Sequence, residues 1–361
     1  MNRCKVRIIA GEKSWIEGNA VNQLNHTAEK IGMILAVGLP DLHPGRGIPV
    51  GAAFISKEIF YPFVAGNDIG CGISLWQTTQ LNRKLKIDKL VKKLKQSADT
   101  AVAIPPDADI KRVCFNGALG TIGGGNHFAE FTKVEKVFNT DLFAKLNLDK
   151  SKLFLLVHSG SRGLGQTILR EHVDQFRDNG LIEGSPEADS YLEQHNDALQ
   201  WAVLNRRLIA ERLFSASGLS GKQVSDTIHN SITPLPDGYW LHRKGAAPAD
   251  AGPVVIAGSR GSLSYLVQPI GDQAGNAFSL AHGAGRKWAR NEAKPRLARK
   301  FTADQLRQGP KGNRVICTQK DLLFEEAPQA YKDIDRVIDD MVNAGLIEVI
   351  AAFYPVITYK N

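Results

Sequence analysis

Much that would narrow the field quickly is missing from this chain. Only four cysteines, Cys4, Cys71, Cys114 and Cys317, stand in 361 residues, and no two form a CxxC pair. Their spacing excludes a disulfide framework and points to a reducing compartment, with the cytoplasm as the expected location. The opening MNRCKVRIIAGEKSW lacks the apolar run of a signal peptide. No stretch reaches the roughly 20 apolar residues of a membrane span. Internal repeats and low-complexity linkers are absent too. Acidic residues are outnumbered, 37 against 45 basic ones, for a formal charge of +8. That excess favours a polyanionic partner, nucleic acid first, although it equally fits an incidental basic surface.

Hydrophobic residues make up 43% of the chain, enough for a sizeable core and too many for global disorder. IGMILAVGLPDLHPGRG, KLFLLVHSGSRGLG and GPVVIAGSRGS each read as a buried strand emptying into a glycine-rich loop. LNRKLKIDKLVKKLKQSADT has helical spacing with a basic face, and DSYLEQHNDALQWAVLNRRLIAERLFSA reads as a long amphipathic helix. Near the end, a helical pattern stops at Gly345 and a final strand follows. The expected class is α+β in one domain over residues 1–361, with a helical insertion at about 165–225.

Candidate chemistry sits in the loops. In GNDIGCGIS, Asp68 and Cys71 are three apart on a tight turn, where carboxylate and thiolate could share a divalent ion; a buried structural cysteine on an Asx turn fits as well. In GTIGGGNHFAEF, three glycines precede Asn126 and His127, so backbone N–H groups could converge on an anion. His158 ends an apolar run, with Arg162 in the Ser/Gly loop beyond it. His229 stands in a polar stretch, and Lys244 follows in LHRKGAAPAD. LAHGAGRKWAR surrounds His282 with the small residues Ala281, Gly283, Ala284 and Gly285 before Arg286 and Arg290. Five of nine histidines, at 43, 127, 158, 229 and 282, lie in or beside Gly-, Asn- or Ser-rich loops. His26, His172 and His195 read as surface or helix residues, and His242 is ambiguous. No cluster is decisive alone; together they suggest one composite site for metal and nucleotide.

The ordered set DLHPGRGIPVG, DIGCG, GTIGGGNHFAE, HSGSRGLG, GSRGSLSY, HGAGR and AYKDID resembles the RtcB family of RNA ligases, almost end to end and closest to its shorter bacterial branch. The resemblance implies an α+β fold with a deep central site, two Mn²⁺ ions, GTP, and a histidine that becomes guanylylated, matching His282. It implies Asp68, Cys71, His127, His158 and His229 as metal ligands, with Cys71 bridging. It implies Asp41 orienting His282, Asn126 on the nucleotide phosphate with Gly283, Ala284, Gly285 and Arg286 beside it, and Glu130, Ser259, Ser264, Tyr331 and Lys360 around the guanosine. Arg162, Lys244 and Arg290 match positions that meet RNA phosphates. The implied substrates are RNA 3′-phosphate or 2′,3′-cyclic phosphate ends and 5′-hydroxyl ends, in RNA repair. A helper protein and the oligomeric state stay open. Arg260 departs from the family pattern, where many members carry methionine, and Asn361 stands where many end in glycine. Two other readings use the same residues differently: a metal-dependent phosphoesterase that opens cyclic phosphates without ligating, and a basic RNA-binding protein with an inactive site.

Overall fold

Segments that are apolar on both faces become inner strands. KLFLLVHS does so as Lys152–Ser159, buried at every position after Lys152. The computed structural model describes residues 3–96, 117–309 and 311–360; Cys114, residues 97–100 of the basic helical segment and Asn361 lie outside them. Lys152–Ser159 sits in an eight-stranded sheet whose path runs Val254–Ile256, Ser264–Pro269, Ile347–Lys360, Phe128–Val137, Lys152–Ser159, Gly72–Leu81 and Gly221–Ile228, with Arg314–Cys317 beside Ile347–Lys360. Gly72 lies opposite both Ser159 and Ile228, and Phe128 opposite His158. This antiparallel register brings one end of four neighbouring strands level. Their loops therefore open on a common space.

A second sheet of five strands is ordered Lys5–Ile8, Met33–His43, Val50–Lys57, Tyr239–Lys244 and Asn230–Pro234. The chain passes from the first sheet to the second at His229. A core cluster joins the two sheets through Val37, Leu241, Val254 and Val267, closed by Val337, Ile338 and Met341 of the helix Ile334–Asn343. Elsewhere on the large sheet, Trp76, Leu155 and Val157 meet Leu213 and Phe214 of the helix Pro186–Ser217. Each such side chain, fully buried, stabilises the fold by roughly 1.5–3 kcal/mol.

That long helix starts at Pro186, ahead of the segment read from the sequence. Ser185 accepts the Ala188 N–H at 3.2 Å, Pro186 takes the first turn, and Gly218 ends the helix in the left-handed region. The chain is already a strand again at Gly221–Ile228, so the helical stretch is shorter than 225 and is built into the core. Two histidines on helices correct the surface reading: His172 is 5% and His195 0% exposed. Both are buried because each serves a structural contact. His195 Nε2 accepts the Ile232 N–H at 3.0 Å, and His172 stacks on Phe176. Lys360 is likewise not frayed. It closes the strand Ile347–Lys360, opposite Cys317, at 3% exposure.

Candidate active site

The level strand ends carry the candidate metal donors. Cys71 leads into Gly72–Leu81, His127 into Phe128–Val137, His158 is next to last in Lys152–Ser159, and His229 follows Gly221–Ile228. Asp68 is held near Cys71 by a turn in which Cys71 N–H donates to Asp68 O at 3.1 Å. His127 Nε2 lies 2.8 Å from Asp68 Oδ2. Cys71 Sγ lies 3.3 Å from Nε2 of both His127 and His158, and His158 Nε2 is 3.3 Å from His229 Nε2. Two triads result, Asp68–Cys71–His127 and Cys71–His158–His229, each with donor atoms within 4.8 Å and sharing one sulfur.

Lone pairs crowded this closely fit a cation between them. Burial, and then the neighbouring histidines, hold His158 and His229 well below the usual histidine range, so both are neutral imidazoles, the form that ligates. Burial pushes Asp68 up, but His127, a hydrogen bond from Cys71 and Lys244 outweigh it and bring the carboxyl to about 2. Burial and the Asp68 charge raise the Cys71 thiol; a divalent ion at Sγ would reverse that, because coordination deprotonates a thiol. The mixed O, N and S set fits divalent first-row ions without choosing among them.

His282 adjoins this cluster, its ring centroid 4.7 Å from that of His229. Asp41 Oδ2 is 2.7 Å from His282 Nδ1 and accepts the His282 backbone N–H at 3.2 Å. Nε2 is left as the ring nitrogen that Asp41 does not engage. The small residues around His282 have a structural reason besides clearance for a ligand. Gly283 bridges Ala257, and Ala284 N–H donates to Ala257 O at 3.0 Å. Gly285 has φ +71°, and a Cβ there would stand 2.3 Å from Asp41 O. Glycine therefore lets the Asp41 backbone close onto the histidine loop.

Both triads and His282 open on one cavity of about 600 Å³. Asn126, Glu130, Ser259, Gly283, Ala284, Gly285, Arg286, Tyr331, Lys360, Arg162, Lys244 and Arg290 line it. Asp41 and Ser264 do not. Ser264 Oγ instead accepts the Gly258 N–H at 3.1 Å and shapes the loop behind Ser259. Arg162 passes over Gly123, where a Cβ would collide with its guanidinium. Its own φ is +58°, a region that costs a non-glycine residue roughly 1–3 kcal/mol and that recurs at functional sites. Lys244 is deep, with Nζ donating to Ala65 O at 3.2 Å and its charge felt by Asp68. Arg290 is at the rim, 3.3 Å from both Asn126 Oδ1 and the Glu326 carboxylate.

A buried polar cluster lines the same cavity. Thr358 Oγ1 donates to Glu130 Oε2 at 2.5 Å. Burial lifts the Glu130 carboxyl to about 7, against the pull of Thr358 and Lys360. Lys360 Nζ donates to His127 O at 2.9 Å, and burial lowers it to about 8. Tyr331 OH donates to Glu326, and the Arg286 guanidinium lies 5.1 Å above the Tyr331 ring.

Sequence reasoning missed three residues that hold this arrangement. Arg206 Nη1 donates to Gly70 O at 2.7 Å and Ser159 O at 2.9 Å, next to Cys71 and His158. Glu326 gathers Arg286, Arg290 and Tyr331. Lys332 donates to Pro40 O and Leu42 O, either side of Asp41, at 3.2 and 2.7 Å. Only Lys332 had a signal, its place in AYKDID.

Fold and site together define an α+β protein with a buried two-triad candidate metal cluster beside an oriented histidine, in a cavity lined by six cationic side chains. The family described as "tRNA-splicing ligase RtcB" matches residues 23–113 and 114–361, and the chain belongs to that family. It is 49% identical to an RNA-splicing ligase RtcB2 of Escherichia coli, over 98% of this chain and 95% of that one. It is 27% identical to a tRNA-splicing ligase RtcB of Archaeoglobus fulgidus, over 94% and 90%, and 29% identical to one of Thermococcus kodakarensis, over 89% and 86%.

Proposed function

We propose that this protein is a GTP- and Mn²⁺-dependent RNA ligase that joins a 3′-phosphate or 2′,3′-cyclic phosphate end to a 5′-hydroxyl end, in RNA repair in the cytoplasm. The observation that carries the reading is His282, its Nδ1 against Asp41 and its ring against His229, on a cavity that also holds cations and the buried Glu130, Tyr331 and Lys360. A nucleotide triphosphate needs partners for its phosphates and for its base and ribose. Among the described residues no helix is long and apolar enough to cross a membrane.

Asp41 holds the proton on Nδ1, leaving the Nε2 lone pair free to attack. Nε2 forms a bond to the α-phosphorus of GTP, and pyrophosphate leaves with the electron pair of the broken P–O bond. An oxygen of the RNA 3′-phosphate then displaces the imidazole from the GMP phosphorus. The 5′-hydroxyl attacks the activated 3′-phosphorus, losing its proton, and GMP departs. Arg286, Arg290, Arg162 and Lys244 neutralise the phosphates and, with Asn126, orient them. Mn²⁺ held by Asp68, Cys71, His127, His158 and His229 would supply Lewis-acid charge beside the phosphates. A cyclic phosphate must be opened before the transfer.

The test is incubation with GTP radiolabelled at the α-phosphate and Mn²⁺, followed by denaturation. Wild type is expected to keep an acid-labile, alkali-stable label, and His282→Ala and Cys71→Ala to keep none. Absence of label on wild type with metal bound would refute the ligase mechanism. Cyclic-phosphate opening that survives His282→Ala would then favour the phosphoesterase.

A further inference from the structure

The basic segment LNRKLKIDKLVKKLK takes no part in the cavity. It forms the helix Ile87–Gln96. Leu90 and Leu94 are buried, and with Val91 they pack into the cluster of Trp76, Leu213 and Phe214. Around the rest of the circumference, Lys86, Lys89, Lys92 and Lys95 are all exposed. Their neighbours are engaged: Lys93 Nζ donates to Ser217 O at 2.6 Å, and Asp88 lies 3.6 Å from Arg314. The four lysines themselves have no side-chain hydrogen bond or ion pair among the described residues. Successive members stand three positions apart, so each adjoins the next on the helix surface, where like charges are destabilising. Packing gives no reason for such a row.

A row of unpaired cations suits a row of anions. A lipid surface is the poorer match, because an interfacial helix must bury an apolar face in the membrane, and the apolar face here is spent on the core. A nucleic-acid backbone asks only for charge. The helix is also tied to the site. It packs against Arg314–Cys317 and Ile347–Lys360, and Cys317 lies opposite Lys360, which lines the cavity. The helix Lys320–Glu325 packs on Arg314–Cys317 and on the helix Arg290–Leu297, whose first residue also lines the cavity. Beyond Arg290, the exposed Arg296, Arg299 and Lys300 continue the cationic surface away from the cavity.

We propose that the exposed lysine face of the helix Ile87–Gln96 is a second RNA-binding surface, holding the phosphate backbone of the RNA body while an RNA end occupies the cavity. This rests on the RNA-ligase reading above.

The test measures binding of a hairpin RNA ending in a 3′-phosphate, and of a tetranucleotide with the same end, over a series of salt concentrations. Combining Lys86→Gln, Lys89→Gln, Lys92→Gln and Lys95→Gln is expected to weaken hairpin binding by about 10²-fold at low salt. The slope of log affinity against log salt is expected to fall by about three. Tetranucleotide binding and GMP labelling of His282 are expected to match wild type. The corresponding arginine variant, which keeps the charge, is expected to bind the hairpin as wild type does. Lysine acetylation read by mass spectrometry tests the unaltered protein: the hairpin is expected to shield these four lysines but not Lys5, exposed on the second sheet. Unchanged hairpin affinity and slope in the glutamine variant would overturn the proposal. So would equal losses for both RNAs, or acetylation of the four lysines that RNA does not alter. Loss of binding to phosphatidylserine vesicles alone, with hairpin binding intact, would assign the face to a membrane and overturn it too. Wild type that neither takes the GMP label nor binds either RNA removes the ligase reading itself.

Discussion

Asp41 is 0% exposed, and a buried carboxylate is costly unless something nearby uses its charge. Its user is His282, touched at Nδ1 and at the backbone N–H by the same oxygen. That double contact fixes where the ring stands, and a carboxylate beside Nδ1 favours a proton there. An asparagine has the same shape and can still accept the backbone N–H, but it carries no charge for the imidazole and can present its amino group to Nδ1 instead. Asp41→Asn is therefore expected to slow GMP transfer to His282 by about 10²–10⁴-fold, with little change in thermal midpoint. Single-turnover labelling beside a melting curve checks this. An unchanged rate would make Asp41 a folding residue only.

At the scale of elements, the site depends on how the helix Pro186–Ser217 is fastened to the sheet. Arg206 reaches from the helix to Asp226 of Gly221–Ile228, with Nε 3.0 Å from both carboxylate oxygens and Nη2 2.6 Å from one, while Nη1 holds the carbonyls beside Cys71 and His158. Its side chain is 0% exposed. Removing one partner of such a pair typically costs about 3–5 kcal/mol, because the other charge stays buried. Arg206→Met is expected to lose that much unfolding free energy in urea. Adding Asp226→Leu should recover most of the stability. It should leave metal affinity down by about 10–100-fold, since the Gly70 and Ser159 carbonyls still lack their donor. Recovery of both together would show that Arg206 serves only the ion pair. Arg206 also marks the limit of what was legible in the sequence. Apolar runs announced the strands, and ordered motifs announced Asp68, Cys71 and the histidines. The helix, however, read as amphipathic, where an arginine belongs to the wet face. Its burial is decided by strands far along the chain. The same holds for Asp41 and His282, 241 positions apart. Register between distant strands, not local pattern, makes those contacts.

For the whole molecule, buried histidines govern the response to acid. Burial pulls His43, His195 and His242 each to about 4. His195 and His242 act through a neutral acceptor nitrogen, on the N–H groups of Ile232 and Tyr61, and these contacts tie the long helix and the Tyr61 segment to the second sheet. Their folded values lie below the unfolded value of about 6.5. The stability they contribute is therefore present above pH 6.5 and is lost as pH falls through 4, roughly 3 kcal/mol for each group by linkage. Glu130 works in the opposite sense. Its folded value of about 7 lies above the unfolded one, so it removes stability as pH rises from about 4.5 to 7. His172, His158 and His229 are also lowered and add to the first group. The histidines outnumber the glutamate, so unfolding free energy should climb from pH 4.5 to 6.5 with a slope of two protons or more. Urea titrations in chelator, which removes metal release from the balance, measure that slope. His195→Gln offers the Ile232 N–H an amide oxygen that does not titrate, and it is expected to lower the slope by about one proton. A slope unaltered by His195→Gln would mean that His195 is already charged in the folded protein and that its buried acceptor role is wrong.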